Sequence, residues 1–206
     1  EDAEVVVRLR DAGAVLIAKL STGLFAQGDQ WYRGRTNNPW DIRRGSSGSS
    51  AGPSSATAGG CVAFGIGTET SGSIVSPARE CGLSALRPTF GRVSRHGGMV
   101  LAWSQDRVGP ICRTVEDCAI ILGALAGPDR RDPVAESRAV PDYAAQLGRP
   151  VAGLVVGRPR QYFYDACDPE IVALMEASLE QFRSLGAKVV DVDLPDPTAT
   201  THGRLG

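Results

Sequence analysis

The sequence predicts an α/β fold. Val5, Val6 and Leu9 recur at helical spacing within residues 2–12, Gly13 stands where such a helix stops, and residues 14–18 read as a buried strand. A helix that passes through one glycine straight into an apolar strand marks alternating α/β architecture. The alternation returns near the end. There a strand at 154–156, a helix bearing Ile171, Leu174, Met175, Leu179, Phe182 and Leu185, and a strand at 188–194 make a βαβ unit. With 206 residues, 42% of them hydrophobic and 22% charged, the chain can bury a real core.

Between these ends, residues 20–44 lack periodicity and carry the turn formers Asn37, Asn38 and Pro39, which predicts a long surface connection. Residues 45–60, GSSGSSAGPSSATAGG, have the composition of a flexible linker. Their flanks favour a buried helix of small residues instead, because the run passes directly into CVAFGIGTE, an apolar segment fit for a strand. Farther on, Thr114 with Asp117 predicts a capped helix start, with Gly127 at the far end. Asp168 and Pro169 sit at the cap and first turn of the later helix, which Gly186 closes.

A formal charge of −1 and a pI near 6.2 give no field to hold a polyanion or an acidic membrane, so neither direct nucleic-acid binding nor membrane association is expected. The five cysteines form no CxxC pair, and a reduced, cytoplasmic setting is the simpler reading. No stretch of apolar residues is long enough to span a bilayer, and no leader is visible. The chain opens inside an α/β unit without a methionine, so it is expected to be a piece of a longer protein.

Common hydrolytic machinery is missing. There are two histidines, His96 and His202, and no HExxH or GK[ST]. His96 would be the one serious imidazole base, and no metal or cofactor set stands out. What remains is serine in glycine-rich turns: Ser46, Ser47, Ser49 and Ser50 in one, Ser71, Ser73 and Ser76 in the other. The small residues before Ser73 allow a tight turn whose N–H groups converge as an oxyanion hole does, although this segment alone favours a turn with incidental serines.

The stretch from about residue 45 to 127 resembles the amidase signature family. The resemblance rests on SGSSAG at 47–52 and GTETSGSI at 67–74, supported by GAVLIAK at 13–19, NPWD at 38–41, CGLSALRPTFGRVSRHG at 81–97 and VGPICRTVEDCAIILGALAG at 108–127. It implies a three-layer α/β/α domain with a central mixed sheet, incomplete here, whose core lies at 45–127 and whose βαβ part lies at 152–195. It also implies hydrolysis of a carboxamide through a serine acyl-enzyme, with Ser73 as nucleophile and Ser49, after a cis Gly48–Ser49 bond, as the bridging serine. The N–H groups of Thr70, Ser71, Gly72 and Ser73 would form the oxyanion hole.

The family's lysine base lies farther toward the amino terminus than Lys19. Lys19 and Lys188, the only lysines, are therefore read as structural, and the chain alone is expected to be inactive. No cofactor or metal is implied. The expected partner is a small amide substrate, and the protein partner would be a second copy or another component of an amidotransferase. Three positions depart from the family pattern: Glu69 for a usual Asp or Gln, Ser71 for a usual glycine, and Val75 for a frequent arginine. The alternative readings are the glutamine-hydrolysing component of a tRNA-dependent amidotransferase and a relative without catalysis.

Overall fold

The computed structural model describes residues 1–161, 164 and 167–195. They divide into two compact units, residues 1–147 and residues from 148 onward.

In the first unit, α1 (Glu4–Asp11) ends at Gly13, whose φ of +86° is open to glycine. Arg8 pairs with Glu4 one turn away at 2.7 Å and donates to the carbonyls of Leu125 and Ala126 at 3.1 and 2.5 Å. A cation placed on the last carbonyls of α4 (Val115–Leu125) satisfies them and complements the helix dipole. The start of α4 is capped as expected, the Thr114 hydroxyl accepting the Asp117 N–H at 3.0 Å.

Residues 14–18 correct the sequence reading. They form no strand and are not buried: Val15, Leu16 and Ile17 are 84, 64 and 70% exposed. The apolar run has the composition of a strand, but a strand also needs a neighbour, and no described segment pairs with it. It lines, with Val5, Leu9, Phe64 and Ile66, an apolar groove of about 390 Å³. The connection at 20–44 is irregular, as expected, apart from a 3₁₀ turn at Leu24–Ala26 and a hairpin of β1 (Gln30–Trp31) and β2 (Gly34–Arg35).

The run at 45–60 is not a linker. Ala51–Ala58 form α2, with Ala51, Gly52, Pro53, Ser54 and Thr57 buried. The chain continues as β3 (Gly65–Glu69), α3 (Val75–Cys81), β4 (Ser84–Ala85) and β5 (Arg107–Cys112). The antiparallel sheet has the order β3-β5-β4, with Gly67 opposite Gly109 and Glu69 opposite Arg107. On one face, Ile66, Leu86 and Val108 meet Leu122 and Leu125 of α4 and Val5 and Leu9 of α1. The other face carries Gly65 and Gly67 and receives α2, so this unit is three layers, helix on sheet on helix.

The second unit is the expected βαβ. β6 (Val155–Pro159) runs parallel to β7 (Lys188–Val192), joined through α5 (Pro169–Ser184), whose cap Asp168 accepts the Glu170 N–H at 2.8 Å. The apolar residues of α5 recur at helical spacing, yet none is buried, and Ile171 and Leu174 remain 52 and 64% exposed. No described helix is long and apolar enough to cross a membrane.

The approach of α2 to β3 sets a testable limit. A Cβ on Gly67 would lie 2.8 Å from Ser50 Oγ and 2.8 Å from Ile111 Cδ1. Gly67→Ala in the full-length protein is expected to cost about 1–3 kcal/mol, the range for overpacking a tight core, read as a lower melting temperature. An unchanged melting temperature would show that α2 and β3 can part freely.

Candidate active site

Two segments build the site: residues 45–50, which lead into α2, and residues 70–73, which leave β3. The first is pinned by the preceding loop. Ser46 N–H donates to Thr36 O at 3.0 Å, Ser47 N–H to Asp29 Oδ2 at 3.3 Å, and Ser49 O accepts Gly23 N–H at 3.0 Å. The Gly48–Ser49 peptide is cis, as the resemblance implied. Gly48 is required there by contact, since a Cβ would lie 1.8 Å from the Gly28 carbonyl oxygen.

The second segment is tied to the first through Ser50. Its N–H donates to Ser73 O at 3.1 Å, and its hydroxyl accepts the Thr68 N–H and donates to Thr68 O, both at 3.1 Å. Glu69, 3% exposed, holds the turn from beneath. Its Oε2 accepts the N–H groups of Ile74 and Val75 at 2.8 and 2.9 Å, and its Oε1 pairs with Arg87 at 2.7 Å. Glu69 thus clamps the turn that leads into α3. The N–H groups of Thr70, Ser71, Gly72 and Ser73 enter no hydrogen bond among the described residues.

Ser49, Thr70 and Ser73 line one cavity of about 80 Å³, with Ala26, Met99 and Leu101 among its apolar walls. Ser49 and Ser73 are 1% and 9% exposed, and neither hydroxyl is hydrogen-bonded among the described residues, to the other or elsewhere. Ser71 is exposed and Gly72 half-buried, and neither residue lines the cavity. Lys19 is exposed and lines the apolar groove instead, while Lys188 belongs to the second unit. His96 lies 3.5 Å from Glu1 and outside the cavity lining. No group of described residues could hold a metal ion.

Two arginines border the cavity. Arg95 is buried against Asp132, whose Oδ2 accepts its N–H at 2.7 Å, and donates to Trp103 O at 2.9 Å. Arg107 stacks over Phe90 at 5.6 Å, and burial together with the Arg87 charge lowers its pKa against the pull of Glu69. Sequence reasoning missed the roles of Ser50 and Glu69, and the cavity wall at 98–101. Ser50 stood inside the SGSSAG motif, and Glu69 drew notice only as a departure. The wall carries no motif at all.

With this geometry in view, the likenesses are specific. The sequence matches the Amidase family profile over residues 1–202. It is 44% identical over 197 residues to the A subunit of the glutamyl-tRNA(Gln) amidotransferase of Chromohalobacter salexigens, covering 94% of this chain and 40% of that protein. The corresponding protein of Geobacter sulfurreducens is 45% identical, over 94% of this chain and 41% of that one. Among solved structures, the peptide amidase of Stenotrophomonas maltophilia superposes with a TM-score of 0.89 at 38% identity, over 98% of this chain and 43% of that one. The A subunit of the glutamyl-tRNA(Gln) amidotransferase of Thermotoga maritima gives a TM-score of 0.87 at 35% identity, over 95% of this chain and 44% of its own. The chain therefore spans about two fifths of the length of the curated relatives it matches, 40 and 41% of the two named here. The fold, the serine-bearing turns and these matches together place the chain in the amidase signature family.

Proposed function

We propose that the protein containing this chain hydrolyses the C–N bond of a carboxamide through a serine acyl-enzyme. The observation that carries the reading is the shared cavity of Ser49 and Ser73, whose hydroxyls are uncommitted while that of Ser50 is spent on Thr68 as both donor and acceptor. Ser73 Oγ bonds to the amide carbonyl carbon as its proton passes to Ser49, whose own proton passes to a base. The N–H groups at 70–73 receive the oxyanion. Collapse breaks the C–N bond, the proton returns through Ser49 to the leaving amine, and water then releases the carboxylate. The base is read as a lysine on the family resemblance, and neither Lys19 nor Lys188 lines this cavity. The thiols of Cys61, Cys81, Cys112 and Cys118 fit a reducing compartment, and the cytoplasm is the proposed location.

In the full-length protein, Ser73→Ala is expected to abolish labelling by a fluorophosphonate and to remove turnover. Ser49→Ala is expected to lower kcat by about 100- to 10,000-fold, the range for a positioned proton-transfer group. Undiminished labelling of Ser73→Ala would sink the reading.

A second reading is favoured by the 44 and 45% identity to the A subunits of glutamyl-tRNA(Gln) amidotransferases. It makes the protein a glutamine-hydrolysing component that passes ammonia to a partner. It predicts glutamine hydrolysis and stable co-purification with a second protein. A monomer that hydrolyses simple amides and ignores glutamine would exclude it.

A further inference from the structure

Asp106 precedes β5 and divides its carboxylate between two parts of the site. Its Oδ1 accepts the Thr70 hydroxyl at 2.5 Å, while Oδ2 accepts the N–H groups of Leu101 and Ala102 at 2.5 and 2.9 Å. Thr70 opens the turn that leads to Ser73, and Leu101, with Gly98 and Met99, forms a wall of the cavity that Ser49 and Ser73 share. Among the described residues no other side chain bonds both the turn and the wall.

Part of this arrangement is local. The N–H groups of Gln105 and Asp106 donate to Ala102 O at 3.1 and 3.0 Å, so Oδ2 closes a turn that Asp106 itself belongs to. The bond from Thr70 is not needed for that. Burial pushes the Asp106 carboxyl up, but the hydrogen bonds from Thr70, Ala102 and Leu101 and the charge of Arg95 bring it below its ordinary value. It is therefore ionised at neutral pH, and each of its three bonds is charge-assisted.

We infer that Asp106 is a positioning residue for the proposed hydrolysis: it fixes the oxyanion turn to the cavity wall, so that the N–H groups at 70–73 and the backbone at 98–101 present one geometry to the substrate. The inference rests on the reading of Ser73 as nucleophile. It adds that the wall and the turn act as one body, so loosening either disturbs the other.

The test uses the full-length protein with para-nitroacetanilide as probe. Thr70→Val keeps every residue of Asp106's own turn and removes only the tie, so any loosening of that turn comes through the lost bond. It is expected to lower kcat about 10- to 100-fold with KM changed by less than about threefold, because a displacement on the order of 1 Å at a reacting centre costs about 100-fold. Thr70→Ser keeps the hydroxyl and recovers most of that loss. The double variant Thr70→Val/Asp106→Ala falls no further than Asp106→Ala alone, since both substitutions break the same contact. An unchanged kcat in Thr70→Val, or losses that multiply in the double variant, overturns the inference and leaves Asp106 as a cap on its own turn. If Ser73→Ala still turns over, it is the nucleophile reading that fails, and there, or where the wild type does not turn over this probe, hydrogen exchange decides the coupling. Thr70→Val is expected to speed exchange at the Leu101 and Ala102 N–H groups, which bond to Asp106 and not to Thr70. Unchanged exchange at those two positions overturns the coupling.

Discussion

The first unit depends on how closely α2 can lie on β3. The strand offers Gly65 and Gly67 on the face that receives the helix, and Ser50 meets the backbone of Thr68 with its hydroxyl. Side chains of ordinary size at these positions would hold helix and strand apart. The two serines of interest stand at the same end of this contact, Ser49 just before α2 and Ser73 in the turn beyond β3. Their convergence in one cavity is thus a packing result before it is a chemical one.

Charge does the finer work. Burying an ionised group is costly unless it is paired and hydrogen-bonded, and the carboxylates around the site meet that condition. Glu69 is answered by two backbone N–H groups and Arg87, and Asp132 by the backbone and side chain of Arg95. Each of these acids bonds main-chain N–H groups, so each fixes backbone direction as well as neutralising a charge. A neutral amide of the same size would keep the packing and could still accept, but through bonds without charge assistance.

Much of this was legible in the sequence, for a physical reason. Helix starts at Thr114 and Asp168 and the stops at Gly13 and Gly186 are local events, written in neighbouring residues. The small residues at 45–60 could be assigned to a buried helix because their flanks left no room for a linker. The segment at 14–18 failed because pairing is not local: its residues suit a strand, and nothing in their order says what lies beside them. The serines stood out through their motifs, whereas Asp106 acts on Thr70 across 36 positions of chain, a contact no motif encodes.

Ser50 has a role that reaches beyond the cavity. Among the described residues β3 lies at the edge of its sheet, and the N–H and C=O of Thr68 that the Ser50 hydroxyl engages point away from β5. One side-chain oxygen therefore stands where a peptide group of a further strand would stand, filling both bonding valences at that point. The sheet is closed there by a hydroxyl in place of another strand, and the edge beside the candidate nucleophile is blunted against strand addition.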